Sequence, residues 1–541
     1  MKRKSFFKAD NVRPVHTRSD IESLLNKNTE LRECLFARGY LVTNDNSIDA
    51  NEYPFYGQWN YEEVGNYRVF IHKNERFFVY REAKKKLLII GNAYNPVSMK
   101  WKEEELLKEL ASTSTEDGFY NEINNWTGAF VLFVIDDNGL SVLTDASSMK
   151  MCNYSLAKGY IYLSSHAQLL ADILDAPMTE YAAKIRTTKM YNIGMRWMPG
   201  NTTAYKNVYR LECNVIGNYN NKKATVTRSR FWPLKSHNEF ITTEDYEKGT
   251  KEIFELIHNN LLLSLKKWKA PAITLTGGMD SRCTFACSKG ITEQFKIVSY
   301  DCKDQEKKDS EIAKKICDKV EIKHYQYHIP ELNSRFHDYD KLCMIIDHNT
   351  SYVLNNAEEE IRKIIVFRGI NDFDVELKSD IAEIGRAFYG QKYGMKMPKT
   401  FSARQASILQ TRFLFMPSLF RKTQREYKKH LREINLSNPL FNYDHSDLLY
   451  WEYRIAICSA YTTLSMGMTN YTMTFPYNNR RILETFLCFP YGLRVTDYPQ
   501  NEIIRNIMPE MIVDEGKVEN KYLSKRRVML EKLYFKLRSF F

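Results

Sequence analysis

The run Thr276-Gly277-Gly278-Met279-Asp280-Ser281 brings paired glycines, a carboxylate and two hydroxyls together. An apolar stretch, Ala270 to Leu275, leads into it, and a run able to form a helix, Arg282 to Lys289, follows it. Glycines let backbone approach a ligand, and N–H groups at a helix start point at an anion. The chemistry this spacing suits is phosphate binding. It is not the P-loop, because no Gly-Lys-Ser/Thr follows. A second candidate is Asp380 with Glu383, which stand three apart. Such carboxylates can face one pocket at a helix start, where one can help bind a hard cation with Asp280 and the other can take a proton. Equally, Asp380 can be an N-cap and Glu383 its capping-box partner. Cys283 and Cys287, four apart, fall on one helix face and are expected in the core.

These residues need elements to hold them. Strand patterns at Ala270–Leu275, Phe295–Tyr300 and Glu321–Tyr327 alternate with helical stretches, one starting near Asp309. That alternation implies a parallel sheet covered on both faces, with ligands at the carboxyl ends of its strands. Gly277, Gly278 and Asp280 fall at such an end, and Ser379 follows another short strand. From Thr400 onward the chain reads as mostly helical. The first half reads as mostly β: Arg68–His72, Phe77–Arg81, Leu87–Gly91, Gly128–Ile135, Leu140–Thr144 and Tyr160–Ser165 are short strands. The pair Asn138-Gly139 marks a hairpin. Thr242-Thr243-Glu244-Asp245 opens a helix with capping-box character, running towards Lys267.

At 541 residues the chain is too long for one typical domain. Two are expected, residues 1–235 and 242–541. Hydrophobic content of 43% and charged content of 27% argue against wholesale disorder. A net charge of +12 favours anionic partners without choosing among them. The ten cysteines form no C-x-x-C pair, which fits a reducing compartment. No signal-peptide pattern follows the basic start, and no run approaches the ~20 apolar residues of a membrane span. The expectation is a soluble, cytoplasmic protein. Leu523, Leu530, Leu533 and Leu537 recur at helical spacing in a tail rich in lysine and arginine. Such a helix can close the domain or lie on an anionic membrane.

Several of these residues carry a family resemblance. Thr276 to Ser281 resembles the S-G-G-x-D-S pyrophosphate loop of ATP pyrophosphatases, with Thr276 for the first serine. Trp126-Thr127-Gly128-Ala129-Phe130, Asp145 with Ser147-Ser148-Met149, and Ser164-Ser165 resemble the glutaminase-type domain of asparagine synthetase. Arg230-Phe231-Trp232-Pro233-Leu234 resembles the end of that domain. Leu377-Lys378-Ser379-Asp380 to Tyr389 is similar to the family's acidic G-E-G-x-D-E segment, with both acids changed in length and both glycines lost. Phe475 to Arg480 resembles its R-x-P-F-L-D element, with Asn479 where the aspartate stands. Asn501 to Arg505 and Met508-Pro509-Glu510 resemble the stretch after it. The chain is thus similar, over nearly its whole length, to the asparagine synthetase-related group, whose relatives include β-lactam synthetase and lasso-peptide cyclases.

The resemblance implies an N-terminal Ntn-type αββα glutaminase-like domain. It also implies a C-terminal parallel-sheet synthetase domain of the adenine-nucleotide α-hydrolase type with a helical end, an α/β and α+β chain overall. Active family members use an N-terminal cysteine. Here Lys2 follows Met1, and the first cysteine is Cys34, so the first domain is expected to be inactive unless a cut before Cys34 exposes it. The implied reaction is ATP-dependent amide formation through an acyl-adenylate, with ATP and Mg²⁺ as cofactors. Thr276, Gly277, Gly278 and Ser281 would cradle pyrophosphate, and Ser379 would join the nucleotide site. Leu275 and Ile297 would flank the adenine. Asp280 and Glu383 would hold the metal, Asp380 would position the nucleophile, and Lys517 (with Lys521 in reserve) would neutralise charge. The partners implied are a carboxylate substrate and an amine or ammonia. A homodimer and membrane contact through the tail are further options. Asparagine synthesis from ammonia and a non-catalytic binding protein are the alternatives. A tRNA-modifying pyrophosphatase, and with it nucleic acid as partner, is disfavoured by the β-rich first half.

Overall fold

A computed structural model describes residues 9, 12–83, 85–192, 197–332, 336, 338–354, 358–411, 416–436, 440–512 and 525–540. The first half supplies β1 (Tyr40–Thr43), β2 (Asn60–Val64), β3 (Tyr67–Ile71), β4 (Phe77–Arg81), β5 (Lys86–Tyr94) and β6 (Thr127–Ile135). It continues with β7 (Gly139–Thr144), β8 (Asn153–Ala157), β9 (Tyr160–Ser164), β10 (Tyr209–Arg210), β11 (Val215–Asn220) and β12 (Thr225–Arg230). These form two antiparallel six-stranded sheets, β10-β8-β9-β1-β3-β2 and β12-β11-β7-β6-β5-β4. The sheets face each other across an apolar layer in which Tyr40 of one meets Phe133 of the other, ring centroids 5.9 Å apart. Helix Glu103–Ala111 covers β4 and β5, and helix Ala167–Leu174 covers β8 and β9. Because β6 lies inside this stack, all but one of its residues are buried. At its start Gly128 has φ +133°, and a Cβ there would lie 2.1 Å from the Asn92 carbonyl oxygen, so the position requires glycine.

The second half supplies β13 (Pro271–Thr274), β14 (Lys296–Asp301), β15 (His324–His328), β16 (Val375–Leu377) and β17 (Thr472–Thr474). They form one parallel sheet in the order β15-β14-β13-β16-β17. The molecule is therefore mixed α/β, with a β-rich first half and a parallel sheet in the second, as the sequence predicts. Strand order reverses at β13, which places a crevice beside its carboxyl end. Helix Thr243–Lys267 enters this half with the expected capping box: Thr242 Oγ1 accepts from Asp245 N, and the Asp245 carboxylate accepts from Thr242 N. Among the described residues no helix is long and apolar enough to cross a membrane.

The two halves are joined by a buried polar seam. Asp145, fully buried at the end of β7, accepts N–H bonds from Phe130, Ser147, Met149 and Lys150 and a fifth bond from Asn478 Nδ2 at 2.8 Å. Asn479 caps helix Arg480–Cys488 and also donates to the Asn125 carbonyl at 2.7 Å. Arg480 reaches Asn214 Oδ1 at 3.0 Å. The Asn478-Asn479-Arg480 element is thus a clasp across the seam.

Candidate functional site

Short β13 feeds the loop Leu275–Gly278, and helix Met279–Cys287 begins at once, with Gly278 as its N-cap. The loop is laced by its own hydroxyls. Gly278 N donates to Thr276 Oγ1 at 3.1 Å, Thr276 N donates to Ser281 Oγ at 3.1 Å, and the two hydroxyls lie 2.9 Å apart. Gly277 packs closely under helix Asp304–Lys319: a Cβ would sit 2.8 Å from Ile312 Cδ1 and 3.0 Å from Asp309 Oδ1. Cys283 and Cys287 are both buried as free thiols in the helix behind the loop.

In front of the loop lies a cavity of about 430 Å³. Its floor is Thr274, Thr276, Gly278, Asp280 and Ser281, and its far wall is Tyr300, Lys378, Ser379, Asp380 and Glu383. Arg386 and Arg454 complete the rim. The sequence-predicted residues Thr276, Gly278, Asp280, Ser281, Ser379, Asp380 and Glu383 therefore meet around one space. Ser379 Oγ is hydrogen-bonded to Thr284 Oγ1 at 2.6 Å, tying β16 to the loop helix. Asp380 to Arg386 is a 3-10 helix with Ser379 at its N-cap and no side-chain cap bond. That corrects the capping-box alternative: Glu383 Oε2 instead accepts from the Tyr450 hydroxyl.

Two expectations need correction. Ile297 is the second residue of β14, not its end. It is fully buried between Ile273 and His324 and lies off the cavity wall. Leu275 is fully buried beneath the loop, its N–H bonded to the Val298 carbonyl at 2.9 Å. Neither side chain is placed to flank a base in this cavity. An inner strand of a parallel sheet is buried on both faces, which is why an apolar run marks a core position and not a lining one. Lys517 and Lys521 lie outside the described residues.

Basic side chains surround these carboxylates. Arg386 donates to Asp280 Oδ2 at 3.2 Å and grips Asp497 through two bonds of 2.8 Å. Asp280 is 14% exposed, and its Oδ1 is buried with no hydrogen-bond partner. Burial pushes the Asp280 carboxyl up to about 7. Arg386 opposes the rise, while Glu383 and Asp497 add to it. Lys378, directly after β16, is half-buried 3.8 Å from Glu376. Burial works against its charge, but Glu376, Tyr300 and Asp380 raise its pKa well above the usual lysine range. A lysine ending a parallel strand was the signal in the sequence that could have found it. Arg454 lies over the Phe388 ring at 5.2 Å and, among the described residues, makes no ion pair. It sits in a π-helical turn, Trp451–Ile455, a geometry frequent at functional sites.

Oxygen donors alone suit Mg²⁺. Asp280 Oδ1, buried and without a partner, is such a donor, and Glu383 stands on the same rim. Among the described residues no group of three or more His, Cys, Asp or Glu side chains is placed to hold a metal ion, and Arg386 holds the other Asp280 oxygen.

Cys34 ends a 3-10 helix, Thr29–Cys34, that precedes β1. It is 1% exposed, burial pushes its thiol up to about 11, and Asn349 clamps the chain around it through the Cys34 carbonyl and Phe36 N–H, each at 2.8 Å. Beside the start of β1 the free space is about 50 Å³, lined by Arg38, Glu75 and Lys150 among others. That is room for a few waters.

No protein-family model and no curated protein matches the sequence. Among solved structures, the chain is similar to an allosteric regulatory enzyme of purine biosynthesis at 8% identity and a TM-score of 0.24, over 47% of this chain and 58% of that one. It is also similar to glutamine phosphoribosylpyrophosphate amidotransferase from B. subtilis complexed with ADP and GMP. There the identity is 7% and the TM-score 0.23, over 76% of this chain and 77% of that one. Likeness at this level is weak and carries no argument about what the chain does.

Proposed function

We propose that the protein is an ATP-dependent ligase that adenylates a substrate carboxylate and passes it to an amine or ammonia, without hydrolysing glutamine. What carries the reading is the position of the Thr276–Ser281 loop. It lies at the switch point of a parallel sheet, with Asp280 on the loop itself, facing a cavity that holds Asp380 and Glu383 opposite it.

In this reading the loop N–H groups and the Thr276 and Ser281 hydroxyls bind phosphate oxygens. The substrate carboxylate oxygen attacks the α-phosphorus, the bond to the β-phosphate oxygen breaks, and pyrophosphate leaves onto the loop. Lys378, close to Asp380, meets the growing negative charge, with Lys517 retaining the role given by resemblance. Arg454 offers a cation for the incoming carboxylate. The amine nitrogen then attacks the acyl carbon, AMP departs, and Asp380 receives the amine proton. Asp280 and Glu383 would hold Mg²⁺, which when bound offsets phosphate charge.

Pyrophosphate release from ATP, measured over pools of carboxylates and amines, tests this. Substrate-dependent release that falls at least ~100-fold in Ser281→Ala/Lys378→Met is expected. A second reading, a nucleotide-binding protein without turnover, is favoured by the Arg386 bond to Asp280. Saturable ATP binding with no release from any pool would establish it and sink the ligase. The buried Cys34 and the small space beside β1 give a separate expectation. Glutamine should yield no ammonia above buffer, and native Cys34 should resist alkylation. Ammonia production that tracks Cys34 labelling would overturn that part alone.

A further inference from the structure

The last helix, Lys525–Phe540, has two unlike faces. Its inner face closes the second half of the molecule. Phe535 is 2% exposed and packs on Tyr393 and Phe401, with ring centroids 5.1 and 6.3 Å away. Val528 lies against Gly394, and Arg404 Nε donates to the Arg538 carbonyl at 2.6 Å. Closing the domain and meeting a membrane were alternatives in the sequence; this face accounts for the first and leaves the second to be decided by the other face.

The outer face is apolar and uncovered by any described residue. Met529 is 63% exposed, Leu530 and Leu533 51% each, and Leu537 50%. Their spacing of three and four puts them on one stripe, opposite Phe535. Among the described residues, the nine other large hydrophobic residues that stand exposed are spread over strands and loops. Along one edge of the stripe run Lys525, Lys532 and Lys536, and Arg526 projects within it. The helix is about 24 Å long, and it does not qualify as a membrane span.

We propose that this face docks on the surface of an anionic lipid bilayer, with the leucine stripe in the boundary between headgroups and acyl chains and the cations against lipid phosphates and carboxylates. Charge complementarity selects that occupant. A symmetric contact with a second copy would set the same lysines against one another. A nucleic acid would meet the cations but leave the leucines in water. A bilayer satisfies both parts of the face at once, and an interfacial helix lying in the plane needs no span.

The test uses the full-length chain in sedimentation with vesicles of phosphatidylcholine alone or with roughly one-third phosphatidylserine. The expected result is binding to the anionic vesicles at least ~10-fold tighter than to neutral ones, weakening as salt is raised. Leu530→Ser/Leu533→Ser/Leu537→Ser should weaken that binding at least ~10-fold. Lys532→Glu/Lys536→Glu should weaken it and flatten the salt dependence. These side chains are at the surface, so unchanged melting temperatures should accompany both variants. Absence of wild-type binding to anionic vesicles would overturn the proposal. So would equal binding by the serine variant, or a serine variant whose only change is lost self-association.

Discussion

Replacing Glu452 with leucine should lower the melting temperature by roughly 3–5 °C. Glu452 is fully buried in the π-helical turn that also carries Arg454. It accepts two bonds from Arg230, at 2.7 and 2.9 Å, and a third from Asn214 at 2.9 Å. Arg230 ends β12 in the first half of the chain, so the pair spans the seam. Burial works against the Arg230 charge, yet Glu452 holds its pKa above the ordinary arginine value. Without the carboxylate, a guanidinium only 5% exposed is left uncompensated, a loss of about 3–5 kcal/mol. The double variant Arg230→Met/Glu452→Leu removes both charges and should recover most of that loss. Thermal melts of the three proteins decide the matter. If the double variant is as unstable as the single one, packing and not the buried charge pair sets the effect. The Asn214 link to Arg480 extends the same network towards Asp145, so the change should also loosen the clasp around Asn478.

Much of the scaffold was written locally in the chain. The run Ala270–Leu275 is apolar, bounded and followed by glycines, and it forms β13; Phe295–Tyr300 overlaps β14, and Thr242 with Asp245 forms a real capping box. What escaped was short or non-local. β17 is three residues inside a stretch that reads as helical. It is a strand because it pairs with β16 and because Tyr94 of the first half is hydrogen-bonded to Thr474 at 2.9 Å. No periodicity can show in so short a run. β1 is likewise brief, and its neighbours in the sheet, β3 and β9, come much later in the chain. The candidate site divides in the same way. Loop composition announced Thr276 to Ser281, and the resemblance pointed to Asp380 and Glu383. Lys378 and Arg386, which set their electrostatics, flank them in the same segment, but Arg386 gives no local sign that it will meet Asp280, 106 residues earlier. Asn479, placed in line with a family aspartate, turns out to be a helix cap and seam contact, a role that polar residues in a tight turn share with many catalytic ones.

The larger functional effect is expected at Asp280. Asp280→Asn should reduce substrate-dependent pyrophosphate release at least ~100-fold. The side chain keeps its shape, and Arg386 keeps both of its bonds to Asp497, so the fold should survive. The residue also makes a pH prediction with a definite sign. Burial raises its carboxyl from an ordinary value near 3.8 to about 7 in the folded protein. Metal and nucleotide binding need the carboxylate and so compete with this proton, and at limiting Mg²⁺ wild-type activity should rise with pH, the bound cation drawing the midpoint below the metal-free value. Stability should run the other way. Between about pH 4 and pH 7 the folded state binds a proton that the unfolded state has lost. The contribution of this group is therefore fully present below the unfolded pKa and is lost as pH rises through 7. Nucleotide-free wild type should lose stability from pH 5 to pH 8 more steeply than Asp280→Asn, which has no proton to lose. Melts at the two pH values measure the difference. Parallel curves would show that Asp280 is already ionised at pH 5, held so by Arg386, and a rise in activity with pH would then need another group. Opposite slopes of activity and stability, both abolished by one isosteric change, would place a single buried carboxylate at the centre of the site.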